Sequence, residues 1–273
     1  MPADLRDFLL EDTGTEDVTT NAIVPENHLS KARIIAKGDG IIAGQMFASQ
    51  VFKTLDNGIR YDELKKDGEH VRKGDILAVV EGKTRAILTG ERVALNILQR
   101  LSGIATLTGY FVEAVGDTGT KILDTRKTTP GLREMEKYAV RVGGGYNHRE
   151  NLTVMALIKD NHISAAGSIT EAVVKVRERA KVPVEVEVKN MDELKEAVKL
   201  DVDRIMLDNW DLESTRGAVS FVNKRVPLEA SGNMTIDRVH EVARTGVDFI
   251  SVGALTHSFQ ALDISLLFEE AIQ

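Results

Sequence analysis

The chain has 273 residues, of which 42% are hydrophobic, 28% charged and 5% aromatic; that is the balance of a globular protein long enough to bury a large core. No apolar run approaches the roughly 20 residues that span a bilayer, and the start, Met1-Pro2-Ala3-Asp4-Leu5-Arg6, has no basic stretch followed by an apolar one, so a cytoplasmic protein without a signal peptide is expected. The absence of cysteine excludes disulfides and thiolate chemistry, and a net charge of −7 argues against a broad nucleic-acid-binding face.

In the first half, residues 31–37 and 41–43 are predicted as strands and residues 45–55 as a helix. Asp67-Gly68-Glu69-His70-Val71-Arg72-Lys73-Gly74-Asp75, followed by the apolar stretch 76–81, reads as turn-rich β structure. Residues 88–115 have helical spacing, with a break expected at Ser102-Gly103.

The second half alternates. Apolar or β-branched runs fall at residues 121–123, 155–158, 184–188, 204–207, 226–229 and 249–252. Helical segments lie between them. Ser168-Ile169-Thr170-Glu171 and Asn190-Met191-Asp192-Glu193 read as capping boxes, and Asp211 and Thr235 as further N-caps. Pro183 and Pro227 sit at strand starts, where a missing N–H costs little. Six βα units in a row predict a parallel sheet, and their spacing suits a barrel.

Asp124-Thr125-Arg126-Lys127-Thr128-Thr129-Pro130-Gly131 stands where the first of these strands hands over to a helix. Backbone N–H groups and two adjacent cations there make a good anion site. Residues 124–162 hold seven Lys/Arg against five Asp/Glu, a balance of +2, so the rest of the chain carries −9. A buried anion pocket produces such a pattern. The other strands end in Lys159-Asp160-Asn161-His162, Glu187, Asp208-Asn209, Ser231-Gly232-Asn233 and Gly253-Ala254. In parallel α/β barrels these ends converge on one face, where functional groups gather.

The groups divide by charge. Arg126, Lys127, His148, Arg149 and Lys159 can clamp carboxylates or phosphates. Glu187 and Asp208, on neighbouring strands, suit Mg²⁺, or alternatively ion pairs with nearby Lys or Arg. Gly143-Gly144-Gly145 reads either as a loop folding over substrate or as an adaptable connection. His148 has no metal-spaced His or Cys partner, and His162 reads as a structural hydrogen-bonding residue. The residues thus point to an enzyme site for anionic, phosphate-bearing ligands.

These motifs resemble the quinolinate phosphoribosyltransferase family, the carboxylating nicotinate-nucleotide pyrophosphorylases among the type II phosphoribosyltransferases. The resemblance rests on residues 124–131, Glu136-Lys137-Tyr138-Ala139-Val140, Gly143-Gly144-Gly145 with Asn147-His148-Arg149, and Leu157-Ile158-Lys159-Asp160-Asn161-His162. Val184-Glu185-Val186-Glu187-Val188, Met206-Leu207-Asp208-Asn209, Glu229-Ala230-Ser231-Gly232-Asn233 and Ser251-Val252-Gly253-Ala254 continue it in order. Earlier, Glu11-Asp12, Asp17-Val18-Thr19-Thr20, Gly90-Glu91-Arg92 and Leu101-Ser102-Gly103 also fit. Departures are few: Val142 stands where many relatives have Cys, and Val154 where many have Asp.

The resemblance implies an α/β protein: an N-terminal α/β sandwich over residues 1–105, with a C-terminal helix of about 260–273 packing back on it, and an open, incomplete parallel α/β barrel over 106–259. It implies transfer of phosphoribose from phosphoribosyl pyrophosphate to quinolinate, with loss of CO₂, in de novo NAD synthesis. Arg126, His148, Arg149 and Lys159 would hold the quinolinate carboxylates. Lys127 would help bind phosphoribosyl pyrophosphate, and Glu187 and Asp208 would hold its ribose and Mg²⁺. Lys127, Lys159, Glu187 and Asp208 are the implied catalytic residues. Ser231, Gly232, Asn233, Gly253 and Ala254 would cradle the 5′-phosphate, with Thr125 and Val252 among the substrate contacts. A homodimer or a larger assembly such as a hexamer is implied, with Arg92 reaching into the neighbouring site. A related family encoded beside molybdate transporters shares the fold, but the full set of clamping cations favours quinolinate. A non-catalytic sensor on this scaffold should lack Glu187 or Asp208, and both are present.

Overall fold

The structure is a computed structural model that describes residues 4–269. Its first elements are α1 (Leu5–Thr13), α2 (Val18–Ile23), β1 (Leu29–Ala36), β2 (Gly40–Ile41), α3 (Gln45–Leu55), β3 (Arg60–Glu63), β4 (His70–Val71), β5 (Ile76–Lys83) and α4 (Thr84–Val115). Then come β6 (Lys121–Leu123), α5 (Arg133–Val142), β7 (Ala156–Ile158), α6 (Asp160–Ala166), α7 (Ile169–Arg179), β8 (Val184–Val188), α8 (Met191–Lys199) and β9 (Arg204–Asp208). The chain continues through α9 (Leu212–Val222), β10 (Leu228–Ser231), α10 (Ile236–Ala243), β11 (Phe249–Ser251), α11 (Ala254–His257) and β12 (Ile264–Phe268). It forms two compact units. One holds residues up to Gly109, Thr129–Gly144 and the stretch from Phe259; the other holds Tyr110–Thr128 and Gly145–Ser258.

In the first unit the strands pair antiparallel in the order β12-β1-β5-β3, and β2 pairs with β4. Exposed Lys31 and Arg33 alternate with buried Ala32, Ile34 and Ala36 along β1, so the sheet has one apolar face. α3 buries Ala48, Val51 and Phe52, and the Phe52 ring stacks on Tyr61 of β3. Asp67 caps this helix by accepting from Gly44 N at 2.9 Å and Gln45 N at 3.1 Å.

Three expectations are corrected here. First, α4 runs unbroken through Ser102-Gly103. Ser102 Oγ accepts from Ala43 N at 3.0 Å, and a Cβ on Gly103 would lie 2.2 Å from the Gln260 carbonyl oxygen. The glycine permits close approach of a second backbone; it does not end the helix. Second, residues 264–268 form a strand where a helix over 260–273 was expected, and residues 270–273 lie outside the described residues. Ile264 and Leu266 are buried while Leu267 is half exposed, a period of two. Pairing with β1 also satisfies backbone groups that would otherwise lie on a sheet edge. Third, α5 groups with the N-terminal elements although the implied barrel began at residue 106. Its Tyr138 ring meets Phe47 edge-on, its Tyr138 hydroxyl donates to Asp67 at 2.6 Å, and its Glu136 pairs with Arg100 of α4.

The second unit holds a six-stranded parallel sheet in the order β6-β11-β10-β9-β8-β7. The edge strands β6 and β7 do not pair with each other, so the barrel is open, as the family resemblance implies. On its other side β6 is bridged by Tyr146, through Leu123, and Tyr146 N donates to Ile122 O at 2.8 Å. The predicted caps form: Ser168, Asn190, Asp211 and Thr235 accept from the backbone of their own helices' first turns. At the second predicted capping box Glu193 reaches Lys189 N instead of Asn190 N, at 2.7 Å. β10 starts two residues later than predicted and runs on to Ser231, because Pro227 has no N–H for the ladder and Asn209 N donates to Ser231 O.

Substituting Gly103→Ala should destabilise the protein. Overpacking costs about 1–3 kcal/mol and outweighs the roughly 1 kcal/mol gained in helix propensity. A thermal midpoint lower by several degrees is expected in a melting experiment, and an unchanged midpoint would refute the close-packing account.

Candidate active site

The site is a cavity of about 770 Å³ in the second unit, at the carboxyl ends of its strands. The period of two along each strand explains its lining. Leu157 and Lys159, Met206 and Asp208, Glu229 and Ser231, and Ser251 and Gly253 are pairs two residues apart on one inward face. The upper member of each pair stands at the strand end, where sequence reading locates it. The lower members Leu157, Met206, Glu229 and Ser251 were not foreseen, although the same period identifies them. His257, on α11, also lines the cavity without having been foreseen.

Of the site residues expected from sequence, Thr125, Arg126, Lys127, His148, Arg149, Lys159, Glu187, Asp208, Ser231, Gly232, Asn233, Gly253 and Ala254 all line this cavity. Two do not. Val252 is buried, its side chain facing away by the strand alternation. Arg92 is exposed on α4 in the first unit. The local positive charge of residues 124–162 is also shared out. Arg126, Lys127, Arg149 and Lys159 face the cavity, whereas Arg133, Lys137 and Arg141 belong to α5 in the first unit.

The turn after β6 is held by side chains. Thr125 Oγ1 accepts from Lys127 N at 3.0 Å, and the Thr256 hydroxyl donates to Lys127 O at 2.9 Å. The Lys127 stem lies across Gly253, whose added Cβ would come within 3.1 Å of Lys127 Cδ. Buried Asp124 accepts from His148 N at 2.9 Å and from the Asn147 amide. It thereby fixes the segment carrying His148 and Arg149. Arg149 Nη1 donates to Met155 O at 3.1 Å. Burial first, and then the facing Arg126, hold the Arg149 guanidinium below its ordinary pKa. Both guanidiniums line one cavity, where a bound anion would lower their mutual repulsion.

Lys159 Nζ stands 3.0 Å from Glu187 Oε2, which realises the ion-pair alternative for Glu187. His162 Nδ1 accepts from Lys159 N at 3.0 Å, the structural part expected of it. Asp208 accepts from Asn209 Nδ2 at 3.0 Å and shares the inner face with Glu187 on the adjacent strand.

Opposite the cations lies a small-residue cradle. Gly232 has φ +101°, and a Cβ there would sit 2.1 Å from Asn209 Oδ1. Asn209 and Asn233 are themselves left-handed, at φ 57° and 47°. Arg238 braces the loop by donating to Trp210 O at 2.9 Å and Gly232 O at 3.4 Å. Gly143 is decided as a packing glycine in the first unit, since its Cβ would meet Ala105 O at 2.4 Å.

Under the cavity floor, His148 Nε2 stands 3.0 Å from Glu185 and 3.5 Å from Glu229. Burial disfavours the charged ring, but the two carboxylates outweigh it and push the His148 pKa up to about 9. The Arg149 N–H, which donates to Nδ1 at 2.7 Å, works against protonation.

Sequence profiles of the quinolinate phosphoribosyl transferase N-terminal and C-terminal domains match residues 17–102 and 104–267. A Bacillus subtilis protein named probable nicotinate-nucleotide pyrophosphorylase [carboxylating] is 46% identical over 264 residues, covering 96% of this chain and 91% of its own. The chloroplastic nicotinate-nucleotide pyrophosphorylase [carboxylating] of Arabidopsis thaliana is 45% identical, covering 94% and 80%. The crystal structure of NadC from Streptococcus pyogenes superposes with a TM-score of 0.93 at 43% identity, over 97% of this chain and 96% of that one. Fold and site together define a phosphoribosyltransferase with an open α/β barrel. The two matching profiles span nearly the whole chain, which belongs to the quinolinate phosphoribosyltransferase family.

The raised pKa of His148 has a consequence for stability. Its folded value of about 9 exceeds the ordinary 6.5, so its contribution is fully present below about pH 6.5 and is lost as pH rises through about 9. The melting-temperature gap between the wild type and His148→Asn should therefore narrow from pH 6.5 to pH 9.5. A gap that does not change with pH would contradict the raised pKa.

Proposed function

We infer that this chain catalyses the reaction for which its relatives are named. Quinolinate and phosphoribosyl pyrophosphate give nicotinate mononucleotide, pyrophosphate and CO₂, a step of de novo NAD synthesis. The convergence of Arg126, Arg149 and Lys159 on one cavity carries this reading. A substrate with two ring carboxylates is complementary to such a set of cations.

Arg126 and Arg149 hold the carboxylates as planar forks and Lys159 adds a point charge, with His148 beneath. Lys159 leaves Glu187 as it takes up a substrate carboxylate. Lys127 faces the pyrophosphate, and Thr125 with the backbone of Ser231, Gly232, Asn233, Gly253 and Ala254 receives the phosphate groups. Glu187 and Asp208 offer hard oxygen donors on one inner face of adjacent strands, a set that fits Mg²⁺ arriving with phosphoribosyl pyrophosphate. The ion supplies charge neutralisation for the departing pyrophosphate.

The quinolinate ring nitrogen forms a bond to the anomeric carbon as the bond to pyrophosphate oxygen breaks. Charge at the leaving group is met by Lys127, and the carboxylate side chains face the developing positive charge on the ribose. The positively charged ring nitrogen then stabilises the electron pair left on ring carbon 2 when the carboxylate departs as CO₂, and that pair takes up a proton to form the new C–H bond. No covalent nucleophile is needed, so the chain contributes position and electrostatics. Arg92, exposed on α4, is assigned to the neighbouring site of a homodimer or larger assembly. No helix among the described residues is long and apolar enough to cross a membrane, and the cytoplasm is the proposed location.

Purified protein with Mg²⁺, phosphoribosyl pyrophosphate and quinolinate should release CO₂ and nicotinate mononucleotide, and should give no product with nicotinate in place of quinolinate. Arg126→Ala and Lys159→Ala should each lose about 100-fold or more in turnover while folding normally. Near-native turnover in both would sink the clamp assignment. Gly232→Ala should raise the KM for phosphoribosyl pyrophosphate at least about tenfold, because its Cβ displaces Asn209 from the cradle; a KM change confined to quinolinate would argue against the cradle.

A further inference from the structure

Three charged side chains under the cavity take no part in the mechanism above. Glu185 and Glu229 have 0% exposure, and Arg204 is largely buried. All three lie on the inner face of their strands, with Glu185 opposite Arg204 in the register of β8 and β9. Buried carboxylates are costly unless paired, and an apolar pair of similar volume would suit a barrel interior at least as well. Stability alone does not explain them.

Distances sort the groups into two pairs. Arg204 Nη1 donates to Glu229 Oε2 at 2.9 Å, with its guanidinium over the Phe249 ring at 4.1 Å from the centroid. That leaves Glu185, 3.0 Å from His148 Nε2, as the nearest counter-charge of the imidazole. Neither oxygen of Glu185 meets hydrogen-bond geometry with any partner among the described residues, so the ion-pair contact with His148 is its nearest polar contact there. Glu185 is therefore not engaged elsewhere. Charged groups around His148 include Glu185 from β8, Glu229 from β10 with its partner Arg204 from β9, Asp124 after β6, and Arg149 beside it. His148 both meets Glu185 at 3.0 Å and lines the cavity.

We propose that Glu185 is a positioning residue for quinolinate binding, holding His148 from below, by its Nε2 edge, as a fixed cation under the ring carboxylates. It never touches substrate and acts only through His148. The inference rests on quinolinate being the substrate, and it assigns a part to the first glutamate of Val184-Glu185-Val186-Glu187-Val188, as distinct from the second. Exchanging Glu185 for glutamine removes one negative charge and, near neutral pH, the imidazole's positive one. The net charge beneath the cavity is then unchanged while the positive charge of His148 beneath the carboxylates is lost.

Glu185→Gln tests this by calorimetric titration with quinolinate and, separately, with phosphoribosyl pyrophosphate, between pH 6 and pH 8. The wild type should bind quinolinate with little change over this range. Glu185→Gln should bind it at least about tenfold more weakly at pH 8, recover towards pH 6, and bind phosphoribosyl pyrophosphate as the wild type does. In a His148→Asn background the same substitution should add nothing. Glu185→Asp, which keeps the charge, should restore the flat pH profile, and it also serves if the glutamine variant fails to fold. Equal weakening for both substrates at every pH, or additivity with His148→Asn, would overturn the proposal in favour of a packing role. A folded wild type that does not bind quinolinate at all would instead overturn the assigned substrate.

Discussion

β8 is buried on both faces, and its period of two turns Val184, Val186 and Val188 towards α7 and α8 while Glu185 and Glu187 point into the barrel. A carboxylate in that position costs several kcal/mol unless a cation meets it. Three of the inward acids each meet a cation: Lys159 for Glu187, His148 for Glu185 and Arg204 for Glu229. The cations come from three different places along the chain. Balancing the interior thus draws the segment before β7, the end of β7 and the start of β9 into one charged layer beside the cavity.

Above that layer the balance reverses. Arg126 and Arg149 oppose each other, and the left-handed turns at Asn209, Gly232 and Asn233 shape a cradle where side chains are small. An enzyme of this kind needs no reactive nucleophile, because the electron flow belongs to the pyridine ring and the leaving pyrophosphate. Rigid placement of charge is the whole contribution of the chain, which accounts for the density of bonds from Asp124, Thr256 and Arg238 to the backbone of the site loops.

Much of this was legible in the residues. Short apolar runs gave β6 and β8 with their observed bounds, and the caps Ser168, Asp211 and Thr235 marked helix starts, because these signals are local. The polar strand ends located eleven of the thirteen expected lining residues, since parallel strands bring their carboxyl ends together; His148 and Arg149 lie in the segment before β7. The inner-face residues Leu157, Met206, Glu229 and Ser251 were missed because attention stopped at the strand ends. Gly103 misled for another reason: a glycine in a helix looks like a break until the Gln260 carbonyl that needs its space is known.

By itself the sequence determined the βα alternation and the chemistry at each strand end, both of which follow from spacing and residue type over a few positions. Only the tertiary structure decided that α5 packs with the N-terminal elements, that residues 264–268 complete a sheet with β1, and that His148 meets Glu185. Each of these depends on a partner at least 30 residues away, and no local pattern records which distant surface will bury a helix face, cover a sheet edge or neutralise a charge.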